Sequence, residues 1–150
     1  MKKINLISIG LFIIMVNFIQ GCECEEPECY GSPPFFFKII DITTGKDYIY
    51  DLDNPISKIK FLSGTLNTPI LSHEDFAGGD NIPYLAAYVS APETNYTIVI
   101  DTLELPINIE LTSIKSKCCT DPNYEINGAK IANKSLEIET GSPSIYIIKI

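Results

Sequence analysis

This chain of 150 residues has no tryptophan and only one histidine. It also has no arginine, because all eleven of its cationic residues are lysines. Each absence argues against a class of function. Without guanidinium groups there is no planar fork for bidentate capture of carboxylate or phosphate, so tight phosphate chemistry is disfavoured. Eleven lysines face 19 acids, for a formal net charge of −8. Nucleic acid is held by clustered cations that displace its counterions, so it is excluded as a partner. The lone His73 sits in "SHED" beside Ser72, Glu74 and Asp75. A catalytic triad needs groups converging from separate elements, and consecutive loop residues diverge. His73 is therefore read as a solvated loop residue. No cofactor is expected and no enzyme is implied.

What is present begins at the N-terminus. Lys2 and Lys3 precede residues 4–19, where little is polar beyond Asn5, Ser8 and Asn17. A short basic region, an apolar stretch and small residues near a cut describe a secretory signal peptide. The stretch falls short of the roughly 20 apolar residues a spanning helix needs. Residues 1–21 are expected to be cleaved, leaving a tether at 22–32 and one domain at 33–150. That domain is large enough to bury its own core. Loss of Lys2 and Lys3 would leave nine lysines against 19 acids, a mature charge near −10.

The motif Ile19-Gln20-Gly21-Cys22 resembles the lipobox of bacterial lipoproteins. The resemblance implies that the Cys22 thiol takes a diacylglycerol, that the peptide is cut before it, and that the new amine is acylated. A thiolate is the strongest nucleophile at hand, and several acyl chains at about 0.8 kcal/mol per buried methylene anchor where one chain would not. Glu23, Glu25, Glu26 and Glu28 follow. This cluster resembles the export tag of Bacteroidetes-type surface lipoproteins, implying display on the outer face of the outer membrane. The plainer reading is a solvated acidic tether, with the domain facing the periplasm.

With Cys22 consumed, Cys24, Cys29, Cys118 and Cys119 remain. An even number in an exported domain reads as disulfides, and four cysteines allow three connectivities. Pairing Cys118 with its neighbour Cys119 strains the ring. The favoured arrangement bridges Cys24 and Cys29 each to one of the vicinal pair, and the first such bridge is worth roughly 4–5 kcal/mol in the chain-entropy model. The competing reading keeps the four thiols free to bind zinc or copper(I), although neither pair has zinc-knuckle spacing.

From Pro33 onward the hydrophobic period is two. In "LELPINIEL", Leu103, Leu105, Ile107, Ile109 and Leu111 alternate with polar residues or Pro106, the mark of a half-buried strand. Pro106 offers no N–H, so an edge strand or a bulge is expected there. Phe35, Phe37 and Ile39 are expected on a core face, as are Ile59 and Phe61 between lysines. Turns are expected at 43–46, 53–55, 90–95, 127–128 ("NG") and 141–144. Strands at this spacing predict an all-β fold, an Ig-like or transthyretin-like antiparallel β-sandwich of about eight strands. "FKIIDITTGKDYIYDL" resembles the opening hairpin of transthyretin-like and carboxypeptidase-regulatory domains, which implies a strand returning after Thr-Gly-Lys. As a whole the chain resembles small single-domain Bacteroidetes-type lipoproteins of unknown function.

Candidate sites are few. Asp51, Asp53 and Asn54 form part of a calcium-loop pattern but lack its glycine and distant glutamate. Gly78, Gly79, Asp80 and Asn81 offer oxygens without a motif, and no metal is expected. Tyr84 and Tyr88 share a face if 83–89 is a strand, as do Tyr48 and Tyr50, and amphipathic rings suit a glycan or peptide platform. Asp101-Thr102-Leu103 resembles the short O-glycosylation pattern of Bacteroidetes-type exported proteins, with Thr102 as acceptor. The expected role is a membrane-anchored, non-enzymatic binding or structural module for a protein or glycan ligand.

Overall fold

The computed structural model describes residues 31–72, 83–115, 122–141 and 143–150. It is an all-β sandwich of two sheets. In chain order the strands are β1 (Pro34–Ile40), β2 (Ile59–Ser63), β3 (Leu66–Thr68), β4 (Ile70–Ser72), β5 (Leu85–Tyr88), β6 (Asn95–Ile100), β7 (Leu103–Ile114), β8 (Asn123–Ile131), β9 (Lys134–Ser135), β10 (Glu137–Glu139) and β11 (Ile145–Lys149). One turn of 3₁₀ helix (Ile56–Lys58) precedes β2. The first sheet runs β10-β11-β1-β5-β4 and the second β3-β2-β6-β7-β8-β9. The described strands exceed the expected eight because several are two or three residues long. Every pairing is antiparallel except β1 with β11, which run parallel from Phe37↔Tyr146 to Ile40↔Lys149.

The period of two decides which faces meet. Phe35, Phe37 and Ile39 of β1, with Ile148 of β11, are at most 1% exposed. They face Phe61, Ile98 and Ile109 of the second sheet in one cluster. Phe61 joins the layers, with its ring centroid 6.0 Å from Phe35 and 5.0 Å from Tyr96. Tyr146 stacks on Phe35 at 5.0 Å.

Three local expectations are corrected. First, β7 lies between β6 and β8, so Pro106 is in a central strand. The Ile109 amide donates to Thr94 of the neighbouring strand segment, and alternation therefore turns position 106 toward β8. The β8 ladder ends one residue earlier, at Ile107↔Ile131, so no rung is lost at the proline. Second, the irregularity in this pair is at Glu110/Leu111, which oppose Gly128 and Ile126. Asn127 is the extra residue, so Asn127-Gly128 is a bulge inside β8 and not a turn. The turn falls instead at Ala132 and Asn133, both at positive φ (49° and 64°), between Ile131 and its partner Lys134.

Third, the chain after β1 turns as expected but returns only as a single bridge, Ile40↔Asp47. Asp41 Oδ1 accepts the Thr43 and Thr44 amides at 2.8 Å, and Gly45 takes the positive φ the turn needs (69°). Asp47 Oδ1 then accepts the amides of Ile49 and Tyr50, at 2.8 and 2.9 Å. This Asx turn curls the backbone out of the ladder before a strand can form.

Candidate functional site

The two outer faces of the sandwich differ in chemistry. On the second sheet the face is a polar ladder. Asn108 donates to Asn95 Oδ1 at 3.1 Å, Lys130 pairs with Glu110, and Asn127 donates to Thr112. A hollow of about 430 Å³ with mixed lining lies beside it, bounded by Asn95, Asn108, Lys130 and Asn133 and by Tyr96 and Ile107. On the first sheet the outer face is mixed, with the Lys38–Glu139 and Lys149–Glu137 ion pairs beside a group of buried apolar residues. Ala86 and Ile145 are 1% and 2% exposed, and Phe36 meets Tyr84 edge-on at 5.3 Å.

At one end of the sandwich, chain segments from three regions converge on an apolar cleft of about 280 Å³. It is lined by Pro33, Pro34 and Phe36 at the start of β1, by Tyr124, Glu125 and Ile126 of β8, and by Pro143, Ser144 and Tyr146 at the approach to β11. The local sequence explains the shape. Consecutive prolines hold the entry to β1 extended, and the Pro33 carbonyl is tied to the Val89 amide at 3.0 Å. Register on β7 places Tyr124 and Ile126 on one face of β8, opposite Ser113 and Leu111. Burial raises the Tyr146 phenol above its ordinary value of 10.0, and the Glu110 carboxylate adds to the shift. The walls are aromatic rings, prolines and Ile126, with the Ser144 hydroxyl and two phenols as polar groups and Glu125 at the rim. Such a lining suits extended or ring-shaped ligands held by contact and a few hydrogen bonds. It does not present a nucleophile with an adjacent base.

The sequence-based candidates fall as follows. Tyr84, just before β5, and Tyr88, its last residue, lie on the same face, but Tyr84 is 7% exposed while Tyr88 is 45% exposed. Only Tyr88 has a ring open to solvent. Tyr48 and Tyr50 are committed elsewhere, donating to Asp101 Oδ2 at 2.5 Å and to the Tyr84 carbonyl at 3.0 Å. Thr102 is exposed in the two-residue turn between β6 and β7, next to Asp101 at positive φ (52°). Asp51 accepts the Asp47 amide at 2.9 Å, and Asn54 donates to the Tyr48 carbonyl at 2.9 Å, so both serve the loop. Among the described residues no group of three or more His, Cys, Asp or Glu could hold a metal. Cys22, Cys24, Cys29, Cys118, Cys119, His73 and Gly78, Gly79, Asp80 and Asn81 lie outside the described residues.

Sequence reading missed the cleft because its parts are remote along the chain. The signals that could have found it are the Pro33-Pro34 pair, Pro143, and the alternation of Tyr124 with Ile126. The chain matches no protein-family model, no curated protein and no solved structure.

Proposed function

We propose that this chain is a lipid-anchored lipoprotein of the outer membrane, displayed on the cell surface, whose sandwich binds a protein or glycan partner and performs no catalysis. The observation that carries this reading is the Ile19-Gln20-Gly21-Cys22 motif, followed by an acidic tether and a single β domain. Cys22 holds the lipid, and the glutamates direct or solvate the tether. Replacing Cys22 by serine is expected to abolish labelling by radioactive fatty acid and to leave an uncleaved precursor. Normal processing and retention of that variant would remove the basis of the proposal. Protease added to intact cells is expected to digest the domain, whereas protection until lysis would assign it to the periplasmic face.

Disulfides joining Cys24 and Cys29 to Cys118 and Cys119 belong to the same proposal. Cys29 precedes Pro33 by four residues and Cys119 precedes Tyr124 by five, and both of those residues line the one cleft. An extended chain covers at most about 3.6 Å per residue, so each cysteine stays within about 18 Å of its flank. Mass analysis of non-reduced peptides tests the pairing. Four titratable thiols with bound zinc or copper would favour the thiol and metal reading instead. The exposure of Thr102 supports it as an O-glycan acceptor, expected as a mass increase that Thr102→Ala removes.

A further inference from the structure

The side of β8 facing away from β7 is only partly closed. Among the described residues its neighbours there are two rungs, Lys130↔Ser135 and Ile131↔Lys134, and the Leu136 amide on the Ala129 carbonyl at 2.8 Å. Among the described residues, the remaining stretch, Tyr124 to Gly128, has no strand on that side. Backbone direction follows from register. The Ile109 amide points to the Thr94 carbonyl, away from β8, so Glu110 and Thr112 point toward it. Thr112 opposes Glu125 across the bulge, which turns the N–H and C=O of Tyr124 and Ile126 outward. The side chains of the same two residues line the apolar cleft. An open edge and a groove for alternate side chains therefore coincide, which is the requirement for strand addition.

The charges indicate what could add there. Glu125, between the two outward-facing residues, is exposed and forms no ion pair among the described residues. The chain carries a net charge of −8. A second copy pairing through the same edge would bring Glu125 near its own counterpart, and like charges opposed across strands are destabilising. A peptide with lysine or arginine at that rung is complementary.

We infer that the Tyr124–Ile126 edge of β8, with its cleft, binds an extended segment of another protein as an added strand. Apolar side chains at every second position would enter the groove, and a basic residue would lie beside Glu125. This deepens the reading of the chain as a binding module and rests on it.

The test is selection of a displayed random nonapeptide library on the full-length protein in detergent, with Ile126→Pro as the control. Proline at that position removes an outward N–H without touching the β7 ladder. Enrichment of alternating apolar peptides with an interposed lysine or arginine is expected, recovered about tenfold or more over the control. The best peptide, resynthesised with N-methyl groups on the amides that pair, is expected to bind at least about tenfold more weakly. That arm requires no protein variant and so stands even if Ile126→Pro misfolds. Glu125→Lys is expected to abolish the preference for basic residues.

No enrichment, or equal affinity of the N-methylated peptide, would overturn the inference. So would protection of the Tyr124 and Ile126 amides from hydrogen exchange by maltohexaose or chitohexaose but not by the peptides, or a solution dimer abolished by Ile126→Pro. Any of these with Cys22 still lipidated and the domain still digested on intact cells would leave the lipoprotein reading intact.

Discussion

The two outer faces of the sandwich are made from the same kind of alternating strand and end in different states. On the second sheet the outward positions hold Asn95, Asn108, Glu110, Thr112, Asn127 and Lys130, which pair two by two across strands. On the first sheet the outward positions include Ala86 and Ile145, which are as buried as the core. The contrast teaches that burial here follows from what lies alongside a residue as well as from the inner layer. Phe36 and Leu71 stand beside Ala86 in the register and cover its small side chain.

The largest test of this contrast is a pair of charge insertions. Ala86→Lys places an unpaired ammonium at a position 1% exposed and is expected to cost roughly 3–5 kcal/mol in chemical unfolding. Glu104→Lys, on the exposed face of β7, is expected to stay within about 0.5 kcal/mol. Equal effects would erase the distinction between the faces. Truncation before Ser144 is an equally severe cut, because it removes β11, whose Ile148 is fully buried and which lies between β10 and β1. Loss of the cooperative thermal transition is expected, and a truncated chain melting near the wild-type temperature would contradict the topology.

Ion pairs sharpen the comparison. Lys38 reaches Glu139 at 2.7 Å on the outer face of the first sheet, where the lysine side chain is 13% exposed. Glu139→Gln is expected to cost about 1–2 kcal/mol. Lys130 and Glu110 are both well exposed on the polar face, and Glu110→Gln is expected to cost less than about 1 kcal/mol. The order of the two, measured in one denaturant series, is the informative result.

The smallest effects are those of pH. Tyr48, Tyr96 and Tyr146 are all raised above 10.0, the first mainly by its hydrogen bond to Asp101 and the others mainly by burial. Their neutral forms are favoured in the fold. The stability they contribute is fully present below pH 10 and is lost as pH rises through the folded values. At the acid end, Asp41 is held below 3.8 chiefly by the Thr44 amide. Its contribution is present above that value and is lost as pH falls through the folded one. Melting temperatures should be level through neutral pH and decline at both extremes, with Tyr48→Phe flattening part of the alkaline decline.

Much of the sandwich was legible in the residues. Phe35, Phe37 and Ile39 alternate with less buried neighbours, and "LELPINIEL" alternates over its whole length, because period-two burial is a local property of a strand with one wet face. What could not be read depends on neighbours far along the chain. Pro106 was misread as an edge signal because its harmless position is set by where β8 stops, some 25 residues later. Asn127-Gly128 has the composition of a turn, but the length of β7 carries the pairing past it and turns it into a bulge. Ala132 and Asn133 make the turn without glycine, so Asn133 alone marks it in the composition. The cleft was invisible for the same reason, since Pro33, Tyr124 and Pro143 meet only once both sheets are assembled.

The parallel pairing of the first and last strands has a mechanical consequence. A load entering at the N-terminal end of β1 runs along a strand clasped on both sides, by β11 and by β5. Its hydrogen bonds share that load in shear and do not open one after another. A handle on β10, at the rim of the same sheet, would instead peel a three-residue strand from its single neighbour. Pulled from the N-terminus in a force instrument, the protein should hold as one body and then rupture once, at a force well above that needed from β10. A pull on the N-terminal side of β1 therefore meets a strand held along both of its edges.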